Sequence, residues 1–504
     1  MIMAFLMLVS VVACGTTPGT TDDTTDAVTD AVTDADTDAA TDSATTEAAT
    51  VAATGKIDAA PYTGVFKAGY ARTDITPKFP INMNTGTTMT EAVDPLYCTC
   101  IAVNDGENTF LFFSLDLKNM AGNICDVVRK KVNAATKIPV DNMMFAPTHN
   151  HSTPTPGNPA STSENIKWTN QIVYPQMVEA AKQAIADLSD AEIYVGTGDS
   201  TGMAFVRRYI LEDGTPFGIW RQPTTKKIVA YESEADSSVQ VIRFVRADKK
   251  DIVMANWQAH FADAIGYYPH SVTADIAFYL RTYVEHDDED ALFGVYLGAS
   301  GNINLSAKVA GTGKYNGYQR VGAALAKVIT ATCKDLQKVE AGKITVEAKT
   351  VTVDTRKFDA ATVEKARKAQ KEINALNLYY GKAEVYAVCS KYGFESAYEV
   401  DSIISSTDNY GATADMYIAA VSFGDLGFVS VPYEMFDTNG MEVKNGSPFK
   451  TTFVLTNSNG SGAYVPSALA VPNGGYEVYT TKYAFGTAEK IANELVGMLR
   501  AQVK

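Results

Sequence analysis

Two of the chain's five histidines stand two residues apart, in Met143-Met144-Phe145-Ala146-Pro147-Thr148-His149-Asn150-His151-Ser152. An apolar run ends there and breaks into Ser, Thr, Pro and Gly. In an extended segment, side chains two apart point the same way, so His149 and His151 can converge on one small object. Imidazoles delivered to a loop mouth serve as metal ligands or as acid/base groups. Other polar residues also stand where apolar runs stop: His260, Asn302, Asn304 and Glu434. Strand ends are where α/β sheets carry their sites. Two imidazoles, a carboxylate and an open position suit a catalytic zinc ion, which lowers the pKa of bound water to about 7. Spacing alone does not join these distant segments, and each residue taken singly reads better as a satisfied polar group.

The elements that must position them read as α/β. A strand at Ala68–Pro77 closes in an Asp-x-x-Pro turn, and Thr99–Val103 and Thr109–Leu115 form a hairpin around Asn104-Asp105-Gly106. An amphipathic helix over Ile124–Ala135 leads to the strand that ends at His149. Asn165–Leu188 is helical by period. Val239–Arg246 and Ile252–Ala259 pair as a second hairpin, ending at His260. A helix over Ala274–Glu285 precedes a buried strand, Leu292–Leu297. Thr355–Tyr392 reads as a charged helical hairpin with a solvated face, Tyr417–Val431 as two strands, and Gly486–Gln502 as the last helix. The segments 462–466 and 474–477 read as loops. The expected fold class is α/β, with mixed β-sheets flanked by helices, one large catalytic domain and a metal site at strand ends.

The N-terminus sets the expected compartment. Met1–Ala13 is apolar and runs into Val11-Val12-Ala13-Cys14, a lipobox-like ending, so 1–14 reads as a lipoprotein signal with Cys14 lipidated. Residues 15–60 are a Thr/Asp/Ala tract without large apolar content, expected to be a disordered tether. Residues 61–504 form the catalytic domain. The expected location is the bacterial cell surface or another extracytoplasmic site, on a membrane anchor. A net charge of −15 argues against nucleic acid as partner. Cys98, Cys100, Cys125, Cys333 and Cys389 show neither a zinc-ribbon spacing nor a disulfide framework and are expected as free thiols.

From about Ala68 onward the chain resembles the neutral/alkaline, non-lysosomal ceramidases. The motifs stand in that family's order: Asp74-Ile75-Thr76-Pro77, Thr148-His149-Asn150-His151-Ser152, Phe205-Val206-Arg207-Arg208, Asn256-Trp257-Gln258-Ala259-His260, Thr273-Ala274-Asp275, Gly298-Ala299-Ser300-Gly301-Asn302-Ile303-Asn304, Val431-Pro432-Tyr433-Glu434, Tyr464-Val465-Pro466 and Gly475-Tyr476-Glu477. The resemblance implies one zinc ion (Zn2+) held by His149, His260, Glu434 and Tyr464. It implies that His151 faces the reacting group, that Arg207 faces substrate, and that Tyr476 helps hold the tetrahedral intermediate. The implied reaction is water attack on the amide of N-acylsphingosine, with oxyanion donors preorganised around it.

The sequence departs from the family at two places. Asn302 and Asn304 stand where the family has Asp and a catalytic Ser, and an amide cannot act as a hydroxyl nucleophile. The family's C-terminal immunoglobulin-like domain is expected to be absent. Three functions follow as expectations: an exported, lipid-anchored amidohydrolase of ceramide-like lipids; a hydrolase of another amide or ester, glycan or cell-wall derived; or a surface binding protein that keeps the fold without turnover.

Overall fold

Several strands of this chain are unbroken apolar runs, such as Phe110-Leu111-Phe112-Phe113, which a sheet with one wet face would not need. The computed structural model describes residues 62–503 apart from 84–86, 158–162, 220, 223 and 316, and shows why. The signal segment with Cys14 and the tether lie outside the described residues.

A nine-stranded sheet is built from β1 (Lys67–Asp74), β2 (Tyr97–Asn104), β3 (Thr109–Leu115), β4 (Met143–Pro147), β5 (Ser189–Asp199), β6 (Ser238–Arg246), β7 (Asp251–Trp257), β8 (Ala291–Leu297) and β9 (Gln337–Val339). Its order is β8-β7-β6-β5-β1-β2-β3-β4, with β9 also pairing β5. A second sheet contains β10 (Thr345–Asp354), β11 (Thr413–Phe423), β12 (Leu426–Ser430) and β13 (Thr451–Leu455), in that order.

The helices are α1 (Gly122–Thr136), α2 (Tyr174–Ala186), α3 (Ile276–Asp287), α4 (Tyr318–Thr332), α5 (Ala360–Leu376), α6 (Ala383–Tyr392), α7 (Ala397–Asp408), α8 (Asp437–Gly446), α9 (Tyr476–Thr480) and α10 (Thr487–Ala501). Leu111, Phe113 and Leu115 pack with Ile124 and Val128 of α1 on one face of the large sheet. Phe110 and Phe112 point the other way and pack with Val421, Phe428 and Phe453 of the second sheet. Val429 and Val454 then meet Val443 of α8 and Leu495 of α10. The layers therefore run helix, sheet, sheet, helix, and both faces of these strands are buried.

One topology is used three times. An antiparallel strand, a hairpin, a helix, a strand parallel to the one before that helix, and a closing helix recur as β1-β2-β3-α1-β4-α2, as β5-β6-β7-α3-β8-α4, and as β10-β11-β12-α8-β13-α10. The third pass carries α5–α7 inserted after its first strand. The sequences do not repeat, because what the passes share is burial pattern and connection order, which many residue choices satisfy. Each pass presents the C-terminal ends of a parallel pair, and His149, His151, His260, Asn302 and Glu434 stand just beyond those ends.

The large sheet curls so far that its edge strand β8 lies against β1 and β3. The Tyr70 hydroxyl donates to Phe293 O at 3.1 Å and the Ser114 hydroxyl to Val295 O at 2.6 Å. The inserted helices differ from the expected hairpin. There are three, closed around their own core of Val363, Ile373, Val385, Cys389, Val400 and Ile403. The third helix was missed because Gly393–Ser396 reads as the end of a helical region, whereas Ser396 caps α7 by accepting from Glu399 N. All five described cysteines are free, and among the described residues no helix is long and apolar enough to cross a membrane.

The first two passes are joined by a buried ion pair. Arg281 Nη1 on α3 donates to Asp116 Oδ1 just past β3 at 2.8 Å, and Asp116 Oδ2 also accepts from Tyr97 N at 2.8 Å. Breaking such a pair leaves a buried charge uncompensated. Arg281→Met should lower the unfolding free energy by about 3–5 kcal/mol in urea denaturation, and Asp116→Leu added to it should restore much of the loss.

Candidate metal centre

The His-x-His pair does not stay extended. Past β4, Thr148 N donates to Leu115 O at 2.8 Å and His149 N to Leu117 O at 3.0 Å. His149 adopts a left-handed conformation, φ 60°, which side-chain-bearing residues rarely take. The chain therefore turns at His149, and the two rings meet edge to face, with centroids 4.9 Å apart and Nε2 atoms 3.3 Å apart. The expected convergence is present, but a turn produces it and not the strand pleat.

His260 follows β7. Its N–H donates to Ile303 O at 3.2 Å, and its Nδ1 lies 3.1 Å from the same oxygen. His149 Nδ1 lies 2.8 Å from Lys118 O. A ring nitrogen against a carbonyl carries the proton, so both rings leave Nε2 as a lone pair facing inward. Glu434 follows β12, where Glu434-Met435 pairs in parallel with Tyr464-Val465 and sets Glu434 beside Tyr464. Glu434 Oε2 lies 3.0 Å from His260 Nε2 and 3.5 Å from His149 Nε2. His149, His151 and His260 offer ligand atoms that all lie within 4.8 Å of one another.

The donor set suits a metal ion. Ligand atoms about 2.1 Å from a tetrahedral zinc are about 3.4 Å apart, and the contacts of Glu434 with His260 at 3.0 Å and with His149 at 3.5 Å fall around that value. The protonation states also suit it, since metal binding needs neutral imidazole and ionised carboxylate. Burial, with Arg207 behind it, pushes His260 down to about 4. Burial and the Lys118 ammonium push His151 well below its ordinary value. Burial raises the Glu434 carboxyl, but His149 and His260 outweigh it and hold Glu434 well below the usual range.

Around this cluster stand the other expected residues. The Tyr464 ring lies 6.5 Å from His260, nearly parallel to it, and 5.6 Å from Tyr476. Burial, then Glu434, pushes the Tyr464 hydroxyl well above its ordinary value. Tyr476 opens α9 and packs on Tyr398 of α7 at 5.2 Å, so the inserted helices reach the site. Arg207 lies 5.3 Å over the Tyr464 ring. Its guanidinium donates to Glu477 Oε1 at 2.7 Å, Gly301 O at 2.8 Å and Asn304 Oδ1 at 3.3 Å. Asn302 does not reach this group. It pairs with Asp437, donating Nδ2 to Oδ1 at 2.6 Å and accepting from Asp437 N at 2.9 Å. His270 and His286 are exposed, as expected.

No protein-family model and no curated protein matches the sequence. Among solved structures, the crystal structure of neutral ceramidase from Pseudomonas aeruginosa matches with a TM-score of 0.63 and 15% identity, covering 87% of this chain and 75% of that one. A structure of ceramidase complexed with C2 matches with a TM-score of 0.64 and 14% identity over the same shares. The fold is neutral-ceramidase-like.

Several residues of this centre carried no recognisable signal in the sequence. Asn457 Nδ2 lies 3.2 Å from His149 Nδ1, and Asn457 itself is left-handed, φ 50°. It follows β13 as His149 follows β4, so only the repeated topology reveals it. Lys118 contributes through its backbone carbonyl, to which residue type is blind. The Tyr464 and Tyr476 segments, expected as loops, hold a strand pair and a helical turn because their partners lie far away in sequence.

Glu477 was part of a motif without a role. Fully buried, it binds Arg207 through Oε1 and accepts from Arg208 Nη1 at 3.2 Å through Oε2. Among the described residues, Arg208 keeps a second carboxylate in Glu232, and Arg207 does not. Glu477→Ala should therefore lower the unfolding free energy by about 3–5 kcal/mol, read by urea denaturation, whereas Asn304→Ala should cost about 1 kcal/mol or less.

Proposed function

We propose that the chain is a zinc-dependent hydrolase that cleaves the N-acyl amide bond of ceramide-like lipids. The carrying observation is the approach of His149 Nε2 and His260 Nε2 to one Glu434 oxygen, on a ceramidase-like fold, with each Nδ1 held by a backbone carbonyl. His149, His260 and Glu434 would hold the ion, with Tyr464 beside Glu434 as the remaining ligand. When bound, zinc supplies Lewis acidity and lowers the pKa of water to about 7.

The chain's own groups do the rest. His151 has no backbone carbonyl fixing its ring among the described contacts, and burial keeps it neutral. Its Nε2 can hold a hydrogen bond to the acyl oxygen or accept a proton from the attacking water. Tyr476 offers a hydroxyl held protonated by burial, which suits an oxyanion donor. Arg207, anchored by Glu477 and Gly301, stacks over Tyr464 and fixes its ring. Asn304 is engaged as an acceptor for Arg207. That engagement favours a second reading, hydrolysis of a different amide or an ester of glycan or cell-wall origin, because no hydroxyl stands where the ceramidases keep their serine.

The test is metal content and fatty-acid release from ceramide and a panel of N-acyl substrates. His149→Ala, His260→Ala and Glu434→Ala should each lose the zinc and the activity. His151→Ala should keep near one equivalent of zinc and lose about 100-fold or more in kcat. Wild-type protein that takes up no zinc would overturn the metal assignment, and zinc without turnover on any substrate would leave a binding protein. Export on a lipid anchor is a separate part of the proposal. Cys14→Ala should move the protein from the membrane fraction to the soluble one, read by fractionation and immunoblot.

A further inference from the structure

Each strongly buried cation around the centre has a carboxylate partner. Arg207 and Arg208 share Glu477, Arg208 also holds Glu232, Lys444 lies 2.8 Å from Asp236, and Arg281 holds Asp116. Lys118 differs. Its backbone is clamped into the centre, with its N–H donating to Thr153 Oγ1 at 3.0 Å and its carbonyl accepting from His149 Nδ1 at 2.8 Å. Its side chain is half-buried, and its charge acts on His151 and Glu434. Among the described residues its ammonium has no ion pair and no hydrogen bond. A half-buried ammonium that no protein carboxylate pairs is free to take a bound group as its partner.

Charge balance shows what completes it. Glu477 and Glu232 offset Arg207 and Arg208, whereas Lys118 meets only the longer-range charge of Glu434, so its ammonium stays unpaired with or without an ion. A divalent ion leaves two positive charges in surplus. Carboxylates of the protein are not available to compensate, because Glu477 and Glu232 are committed to the arginines. The surplus suits an anionic group brought in by the substrate, close to the bond that breaks.

We propose that Lys118 selects substrates with a carboxylate next to the scissile amide, which makes fatty N-acyl amino acids the substrate class. This rests on the hydrolase reading above. The reaction is R-CO-NH-CHR'-COO⁻ plus water giving R-COO⁻ and the zwitterionic amino acid. The C–N bond breaks, the water oxygen goes to the acyl carbon, and the amine leaves with the protons. The lysine's flexible stem lets the ammonium meet a carboxylate held near the clamped backbone, and a charge-assisted hydrogen bond there discriminates against a neutral analogue.

The matched probes are N-lauroylglycine and N-lauroylglycinamide, which differ only in that charge. With zinc-loaded full-length protein, kcat/KM should favour the carboxylate, and Lys118→Met should shrink that preference about 10- to 100-fold, mostly through KM. Lys118→Arg should keep most of it. Calorimetric binding of the two probes to metal-free protein gives a readout that needs no turnover. There N-lauroylglycine should bind more tightly than the amide in wild type, and Lys118→Met should abolish the difference. Equal preference in wild type and Lys118→Met, or equal binding of both probes by wild type, would overturn the assignment. Absence of turnover on both probes would count against the hydrolase reading alone, since the binding difference then decides the role of Lys118. Thermal melts of the variants guard against misfolding.

Discussion

The structure depends on bringing six strand ends to one place. Each of three equivalent passes carries one parallel strand pair, and every described group of the centre follows such a pair or is held by one that does. His149 and His151 come from the first pass, His260 from the second, and Glu434 with Asn457 from the third. The constraint that joins them is the curl of the large sheet, which sets β8 against β1 and β3. Twisted, doubly buried strands can curl in this way only if both faces find apolar partners. That demand accounts for the continuous runs of Phe, Leu and Val and for the four-layer build.

Inside that frame the polar groups are held by backbone as much as by side chains. His149 and His260 each face a carbonyl, Lys118 O or Ile303 O, that orients the ring and sets its tautomer. The left-handed turn at His149 stores strain that the surrounding hydrogen bonds of Thr148 and His149 offset. The buried Arg207–Glu477–Arg208 group has a different task. With Glu232, which also pairs Arg208, its charges sum to zero, which lets an arginine stand over Tyr464 without presenting a free charge to the metal ligands. A half-buried Lys118 with no carboxylate partner among the described residues is the asymmetry from which the proposed substrate choice would arise.

Much was legible before any coordinates. Apolar runs ending in His, Asn or Glu marked strand ends, because polar residues can follow a buried strand only where the chain leaves the core. The His-x-His spacing, the hairpin turns and the long helices were readable from local pattern, and the ordered motifs pointed to the ceramidase fold. The third inserted helix, the strand at Tyr464 and the turn at Tyr476 were not. Each is a short element stabilised by distant partners, where local propensity carries little information.

The sequence by itself determined the chemistry on offer: few histidines, a carboxylate and tyrosines at strand ends, and an amide at Asn304 where a hydroxyl was expected. Residue type is a local property and survives any fold. Only the tertiary structure decided which of these meet. It set His149 and His260 against the same Glu434 oxygen, sent Asn302 away to Asp437, engaged Asn304 with Arg207, and left Lys118 without a carboxylate partner among the described residues. Those outcomes rest on contacts between residues 97 or more apart in sequence, on backbone carbonyls that residue identity does not encode, and on the curl that closes the distance between them.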